Sequence, residues 1–381
     1  MSAPEIHEQS VAALIARYLK SQGVQRVYGL CGGHIMPIWM KLDAEGIRII
    51  DVRDERAAVY MAHAEADLTG GLGVALVTAG PGVTNAMTGI ANAHVSRAPV
   101  LVLSGLPPMP QENRGALQDI VHTDLVRSIT RYARTVHHAD LALQEIDEAV
   151  SRALGQGGEP GPVYVDFPVD VVRARVSKAM QMPERFTSRA AYKIPPNETS
   201  IRHAVELLWS AKRPLVISGR GAKGAGKELC ELLSRLGAAY LDTGESKGLV
   251  PESHASVVAA MRGTVMQQAD VVLTVGRRLD FQLAYGSPSV FGEAKFIRIA
   301  DCAAELRDNR RGEVEILSSG RLALQALLDV AGDRASAVEP SWINGLREKH
   351  LDRSKKLVTN MREAAPGSDG LMHPNRVLAA L

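Results

Sequence analysis

Glu55 stands in the run DVRDERAAVYMAHAEADLTG, directly after an apolar segment and at the start of a stretch with helical spacing. A carboxylate at that place gains from the positive end of the helix dipole, and Arg53 and Arg56 are near enough in sequence to pair with it. Asp54 is equally placed for the ordinary duty of a helix-start acid, so position alone does not separate the two. A second segment, Thr78-Ala79-Gly80-Pro81-Gly82-Val83-Thr84-Asn85, passes from an apolar run into another helical pattern. Its small residues and exposed amides allow close approach of a flat ring, although a plain Gly-Pro helix entry with Asn85 capping nearby reads the same way. Gly32, Gly33 and His34 form a third loop, and Gln118 lies in a fourth, RGALQDIVH. A lone histidine in a glycine loop serves packing or the surface as readily as chemistry. His122, four residues beyond Gln118, could share a helical face with it and is expected to be solvent-exposed.

These loops need elements that bring them together. Apolar residues Val11, Leu14, Ile15, Tyr18 and Leu19 predict an amphipathic helix over 8–22, followed by a strand over 24–30. GIRIIDV, GVALVTAG and APVLVLSG are compact apolar runs, each followed by turn residues and a helix-length segment. Runs apolar on both faces that alternate with helices predict a parallel sheet covered on both sides, with ligands at the carboxyl ends of its strands. The unit closes near PGPVYVDFPVDVV, and Pro183, Pro195 and Pro196 mark a linker over 181–200. A second α/β unit follows, with strands expected in RPLVISG, AAYLDTG, ADVVLTVG and KFIRIAD. The fold class is therefore α/β, with two doubly wound parallel sheets and a polar, helical C-terminal stretch broken at 366–370.

The chain has 381 residues, more than one hydrophobic core usually supports. A formal net charge of +2, with no basic stripe, argues against nucleic acid as a partner. No run of 18 apolar residues and no leader pattern occurs, so a cytoplasmic protein without a membrane partner is expected. Three cysteines, far apart and odd in number, argue against a disulfide framework or a zinc ribbon and for a reducing compartment.

GLCGGHIMPI, RDERAAVYMA, TAGPGVTNAMTGIANAHVSRAPVLVLSG and RGALQDI occur in this order and spacing, and together they resemble the thiamine-diphosphate enzyme superfamily. The resemblance is to the branch of acetolactate synthase, benzaldehyde lyase, oxalyl-CoA decarboxylase and 2-hydroxyacyl-CoA lyase, and it covers nearly the whole chain. It implies a pyrimidine-binding domain over 1–180, a Rossmann-like central domain over 201–332 and a helical extension over 333–381. It further implies that Glu55 hydrogen-bonds the pyrimidine N1′ of thiamine diphosphate, that Pro81 and Asn85 lie beside the aminopyrimidine, and that Gly32, Gly33 and His34 line the region of the reacting carbonyl. His34 would be a proton donor to substrate. Gln118 would contact substrate or intermediate; Leu117 stands where acetolactate synthases carry Phe, which puts their particular substrate in doubt.

In the second unit Gly219, Gly221 and Gly224 form a GxGxxG after a strand, with Asp242 further on, which alone reads as a nicotinamide site. The resemblance instead assigns this domain a flavin, an ADP or CoA moiety, or nothing. SHASVVAAMRG lacks the run typical of the flavin-binding members, so FAD is not expected, whereas Arg220, Lys223, Arg277 and Arg278 could hold CoA phosphates or form a solvated basic face. The diphosphate and its Mg²⁺ call for a Gly-Asp-Gly motif followed by Asn, because a hard cation takes oxygen ligands. The nearest candidate, Gly367-Ser368-Asp369-Gly370, has only eleven residues after it. The expectation is a carbon-carbon lyase or carboligase subunit acting on a 2-oxo acid or 2-hydroxyacyl-CoA, self-associating through the pyrimidine domain and completed by a separate diphosphate-binding subunit. The alternatives are an acetolactate synthase-like decarboxylase/carboligase, a non-catalytic assembly or regulatory subunit, and a nicotinamide-dependent oxidoreductase.

Overall fold

The alternation of apolar runs with helical segments is realised in a computed structural model that describes residues 9–156, 158–176 and 193–380. Contacts divide the chain into two units, the boundary falling between residues 192 and 193. The segment expected as a linker lies outside the described residues up to 192, and a helix opens at Glu198.

The first unit begins with β1 (Gln9–Ser10), α1 (Val11–Ser21), β2 (Arg26–Gly29), α2 (Met36–Ala44), β3 (Arg48–Asp51) and α3 (Glu55–Thr69). It continues through β4 (Gly73–Val77), α4 (Pro81–Val95), β5 (Val100–Leu106), α5 (His122–Val126) and β6 (Tyr132–Thr135), and ends with α6 (Ala142–Ala153), β7 (Val163–Pro168), α7 (Val169–Arg173) and β8 (Arg175–Val176). Six strands form one parallel sheet in the order β3-β2-β4-β5-β7-β6, while β1 and β8 pair antiparallel in a separate two-stranded sheet. Alternation along each strand divides the core between two faces. Val74 and Leu76 point to the cluster that contains Leu14, Ile38 and Ile146, and Ala75 and Val77 to the one that contains Val59 and Ile90. The order reverses between β2 and β4, and a crevice opens at such a switch point beyond the carboxyl ends of the strands. The loops after β2 and β4 start there.

The second unit comprises α8 (Glu198–Trp209), β9 (Pro214–Ser218), α9 (Gly226–Leu236), β10 (Ala239–Leu241), α10 (Arg262–Gln268), β11 (Val271–Val275) and α11 (Pro288–Phe291). Then follow β12 (Lys295–Ala300), α12 (Ala303–Leu306), β13 (Val314–Leu317), α13 (Gly320–Ala331), α14 (Pro340–Arg362) and α15 (Pro374–Ala380). Its five parallel strands run β10-β9-β11-β12-β13. Both sheets are thus parallel and covered on two faces, as the apolar runs require. Two strands that the apolar-run criterion passes over, β6 and β13, are short edge strands with partners on one side only, so each needs few buried residues. Among the described residues no helix is long and apolar enough to cross a membrane.

Close backbone approach is built into the first sheet at Gly73, where a β-carbon would lie 1.9 Å from the carbonyl oxygen of Ala62 in α3. Gly73→Ala is expected to lower the unfolding free energy by about 1–3 kcal/mol, the usual cost of forcing atoms into a packed interior. Gly345, inside α14 with open space around its Cα, is the control, and Gly345→Ala should add about 0.5–1 kcal/mol. Urea titration of both variants checks the contrast.

Candidate functional site

The two acids at the start of α3 have different fates. Asp54 is the N-cap, extended at φ −156° and ψ 131°, and its carboxylate accepts from the backbone N–H of Arg56 at 2.8 Å. The Arg56 guanidinium folds back to the same carboxylate at 2.6 Å, and Arg53 pairs with Asp51 at 2.6 Å. The expected pairing of these arginines with Glu55 is therefore not made: capping fixes Asp54 on the outer side of the turn, where Arg56 reaches it. Glu55, one residue on, turns inward and is 6% exposed. Its Oε2 accepts from the Asn85 side-chain amide at 2.9 Å.

Asn85 is the fifth residue of α4, so it caps nothing and serves instead to orient the Glu55 carboxylate. The loop before α4 turns at Gly80, with φ 61° and ψ −114°, and Pro81 fills the first helical position and is exposed. A β-carbon at Gly82 would sit 2.9 Å from Thr78 Cγ2 and 3.5 Å from Glu55 Oε1. At Gly32 it would meet Thr78 Oγ1 at 2.2 Å, whereas Gly33 faces open space. Gly105, at the end of β5, packs under His34, whose Cβ would be 2.6 Å from an added methyl. The β2, β3, β4 and β5 loops thus converge on one place.

Gln118 has φ 63° and packs on Gly80, which would bring an added β-carbon within 2.8 Å of Gln118 Cβ. It sits in a turn and not on a helix, and α5 begins only at His122, so the two do not share a helical face. His122 is also not exposed: it is 1% accessible and its Nε2 accepts from the backbone N–H of Gly80 at 2.8 Å. Its Nδ1 lies 3.0 Å from Asp166 Oδ2, to which the Tyr164 hydroxyl also donates at 2.9 Å. The signal for this pair was the Asp in the otherwise apolar run VYVDFP of β7, since a buried carboxylate needs a polar partner.

Burial lowers the pKa of His34, with a hydrogen bond from its ring N–H to the Gln118 side chain opposing and the nearby His122 adding to the fall. At neutral pH His34 is an uncharged imidazole, so it offers an N–H hydrogen bond and not an acidic imidazolium proton. Its Nδ1 and the Thr78 hydroxyl are buried without a hydrogen-bond partner among the described residues. A glycine-walled cradle, two unsatisfied polar atoms and a buried carboxylate held by a neutral amide fit a flat, nitrogen-bearing ring, the aminopyrimidine expected here.

The GxGxxG of the second unit is used differently. A β-carbon at Gly219 would lie 2.5 Å from the Gly276 carbonyl oxygen, and one at Gly221 2.7 Å from Gly276 Cα. These glycines let two loops of the same sheet touch, and α9 starts only at Gly226. Arg220 pairs with Glu245 and Arg277 with Asp280, while Arg278 is exposed. Asp369, in the Gly-Ser-Asp-Gly turn, accepts from the Leu371 N–H at 3.0 Å.

Residues 9–126 match the thiamine pyrophosphate enzyme N-terminal TPP binding domain, and residues 201–327 match the central domain of the same enzymes. The chain belongs to the thiamine pyrophosphate enzyme family. It is 29% identical to a 2-hydroxyacyl-CoA lyase 2 of Caenorhabditis elegans, over 97% of this chain and 63% of that protein. It is 33% identical to human 2-hydroxyacyl-CoA lyase 1, over 89% of this chain and 59% of that protein. The acetolactate synthase large subunit IlvG of Mycobacterium tuberculosis is 31% identical, over 97% of this chain and 65% of that protein. The chain therefore spans 59–65% of the length of these relatives.

The different standing of the two acids has a measurable consequence. The Arg56 side-chain hydrogen bond, followed by the Arg56 backbone N–H, pulls the Asp54 carboxyl from its ordinary 3.8 down to about 2. A carboxyl depressed on folding stabilises the fold above its unfolded pKa and loses that contribution as pH falls through the folded one. Asp54→Asn keeps a cap acceptor but removes the charge, so urea midpoints of wild type and variant should differ slightly at neutral pH. They should converge as pH falls from 3.8 toward 2.

Proposed function

We propose that this chain is the pyrimidine-binding part of a thiamine-diphosphate-dependent carbon-carbon lyase or carboligase acting on a 2-oxo acid or a 2-hydroxyacyl-CoA, working with a separate subunit that holds the diphosphate and Mg²⁺. The observation that carries this reading is Glu55: a buried carboxylate at the carboxyl edge of the sheet with Asn85 as its partner and no cation beside it among the described residues. Burying an acid this way is unfavourable for folding alone, which supports a working group over the assembly-subunit alternative.

Bound there, thiamine diphosphate supplies a nucleophilic carbon and an electron sink for the acyl group that is cut or joined. Glu55 holds and exchanges a proton with the pyrimidine nitrogen, and its burial strengthens that bond by excluding water. Asn85 keeps the carboxylate turned toward the crevice. Neutral His34 and the Gln118 amide offer hydrogen bonds to a substrate carbonyl from the opposite loop. Substrate class follows the relatives, two of them 2-hydroxyacyl-CoA lyases and one an acetolactate synthase. Leu117, 77% exposed where an acetolactate synthase would place Phe, favours the acyl-CoA side.

The test is reconstitution of the chain with proteins that co-purify with it, assayed with thiamine diphosphate, Mg²⁺ and panels of 2-oxo acids and 2-hydroxyacyl-CoA esters. Glu55→Gln is expected to lower kcat by about 10²–10⁴, the range of a lost general acid-base group, with an unchanged circular dichroism spectrum. Turnover equal to wild type would remove Glu55 from the mechanism. Turnover by this chain alone would remove the second subunit.

A further inference from the structure

The backbone amide of Gly80 settles the state of a buried histidine. An amide N–H can only donate, so His122 Nε2, 2.8 Å away, must be bare. The one proton of the neutral ring then sits on Nδ1 and points to Asp166 Oδ2 at 3.0 Å. Burial pushes the Tyr164 phenol well above its ordinary pKa, so its hydroxyl stays a donor to the same oxygen and Asp166 is an acceptor from both sides. The resulting chain, Tyr164 and His122 to Asp166 and Gly80 to His122, is wholly buried and joins β7, the Gln118 loop and the start of α4.

Gly80 is where this matters. It has a left-handed φ, Gln118 packs on its Cα, and two residues later Gly82 lies against Thr78 and Glu55. A helix that starts at Pro81 takes its position from the residue before it, and Asn85 rides on the first turns of that helix.

We propose that His122 is a positioning residue of the site: as a neutral, Nδ1-protonated imidazole braced by Asp166, it holds Gly80 and thereby sets both Gln118 and the helix that presents Asn85 to Glu55. The proposal rests on the reading of Glu55 and Gln118 as working groups, and it adds what fixes their spacing. The logic is that of a base whose tautomer and orientation are imposed by a buried carboxylate, used here to hold backbone instead of to move a proton.

The full chain, isotopically labelled at histidine, glycine and asparagine nitrogens, tests this without cofactor. Long-range proton-nitrogen spectra at neutral pH should show His122 carrying its proton on Nδ1 with a bare Nε2; a proton on Nε2 overturns the proposal. His122→Gln can still offer an oxygen to the Gly80 N–H, and His122→Ala cannot. Hydrogen exchange at Gly80 is expected to quicken about fivefold to tenfold in the alanine variant, the worth of one ordinary hydrogen bond, and to return toward wild type in the glutamine variant. The Asn85 side-chain amide resonance should shift with His122→Ala and be restored by His122→Gln. If Asn85 stays unmoved while Gly80 changes, the network is local packing only and the positioning role fails. Should the alanine variant not fold, the wild-type tautomer and the glutamine variant decide. None of these readouts needs turnover, so they fail independently of the lyase reading, which fails on Glu55→Gln.

Discussion

A β-carbon added at Gly32, Gly80, Gly82 or Gly105 would lie 2.2–2.9 Å from Thr78, Gln118 or His34. Real β-carbons do not come that close, so a larger residue at Gly32, Gly80 or Gly105 would push the loops of β2, β4 and β5 apart, and one at Gly82 would distort the β4 loop itself. The contacts made in consequence are short-range and directional: Glu55 with Asn85, Gly80 with His122, His34 beside Gln118. A shift of one ångström would break each of them. The parallel sheet brings the loops to one edge, and the missing side chains let them close.

Closing the loops is costly in polar terms. The Thr78 hydroxyl and His34 Nδ1 are each left buried and unpaired among the described residues, at about 1–3 kcal/mol for a group of that kind. Glu55 adds a carboxylate whose partner among the described residues is the Asn85 amide. The neighbouring Asp54 shows the cheaper arrangement that the same turn allows, with a cap, an arginine and solvent on one side. An acid held by a cation would give up its proton readily and take one back poorly. Glu55 is in no such ion pair among the described residues, which is the arrangement that the proposed proton relay to a ring nitrogen requires.

Much of this was legible in the residues. Strand runs apolar on both faces specify parallel sheets, and parallel sheets specify the edge at which ligands sit; it is the resemblance of the four loop motifs to thiamine-diphosphate enzymes, and not the apolar pattern, that groups Glu55, the Gly80 loop, His34 and Gln118 at that edge. What escaped was decided by contacts far apart in sequence. The arginines beside Glu55 look like its partners in one dimension, yet capping turns Asp54 toward them and Glu55 away. His122 reads as a surface residue in QDIVHTDL, and nothing within ten residues shows that Asp166, 44 positions on, waits for its ring. The edge strands β6 and β13 escaped for the opposite reason, because a strand paired on one side buries too little to leave a pattern.

The two units make a natural comparison, since each is a doubly wound parallel sheet with glycines at its switch point. In the second, Gly219, Gly221, Gly276 and Gly320 are pressed backbone to backbone, at spacings of 2.1–2.7 Å from where a β-carbon would be. Their freedom is used up in packing loop on loop, and the arginines nearby are engaged by Glu245 and Asp280. In the first, the glycines meet side chains instead, and those side chains carry a hydroxyl, an imidazole, an amide and a carboxylate. Glycine at a switch point therefore does not by itself mark a ligand site. Both units leave buried polar atoms without partners among the described residues, but in the second the one at the glycine contact, Arg277 Nε, belongs to an arginine already held by Asp280. In the first, Thr78 Oγ1 and His34 Nδ1 lie against the same glycine cradle as the buried Glu55 carboxylate, and that combination is what suits a ligand.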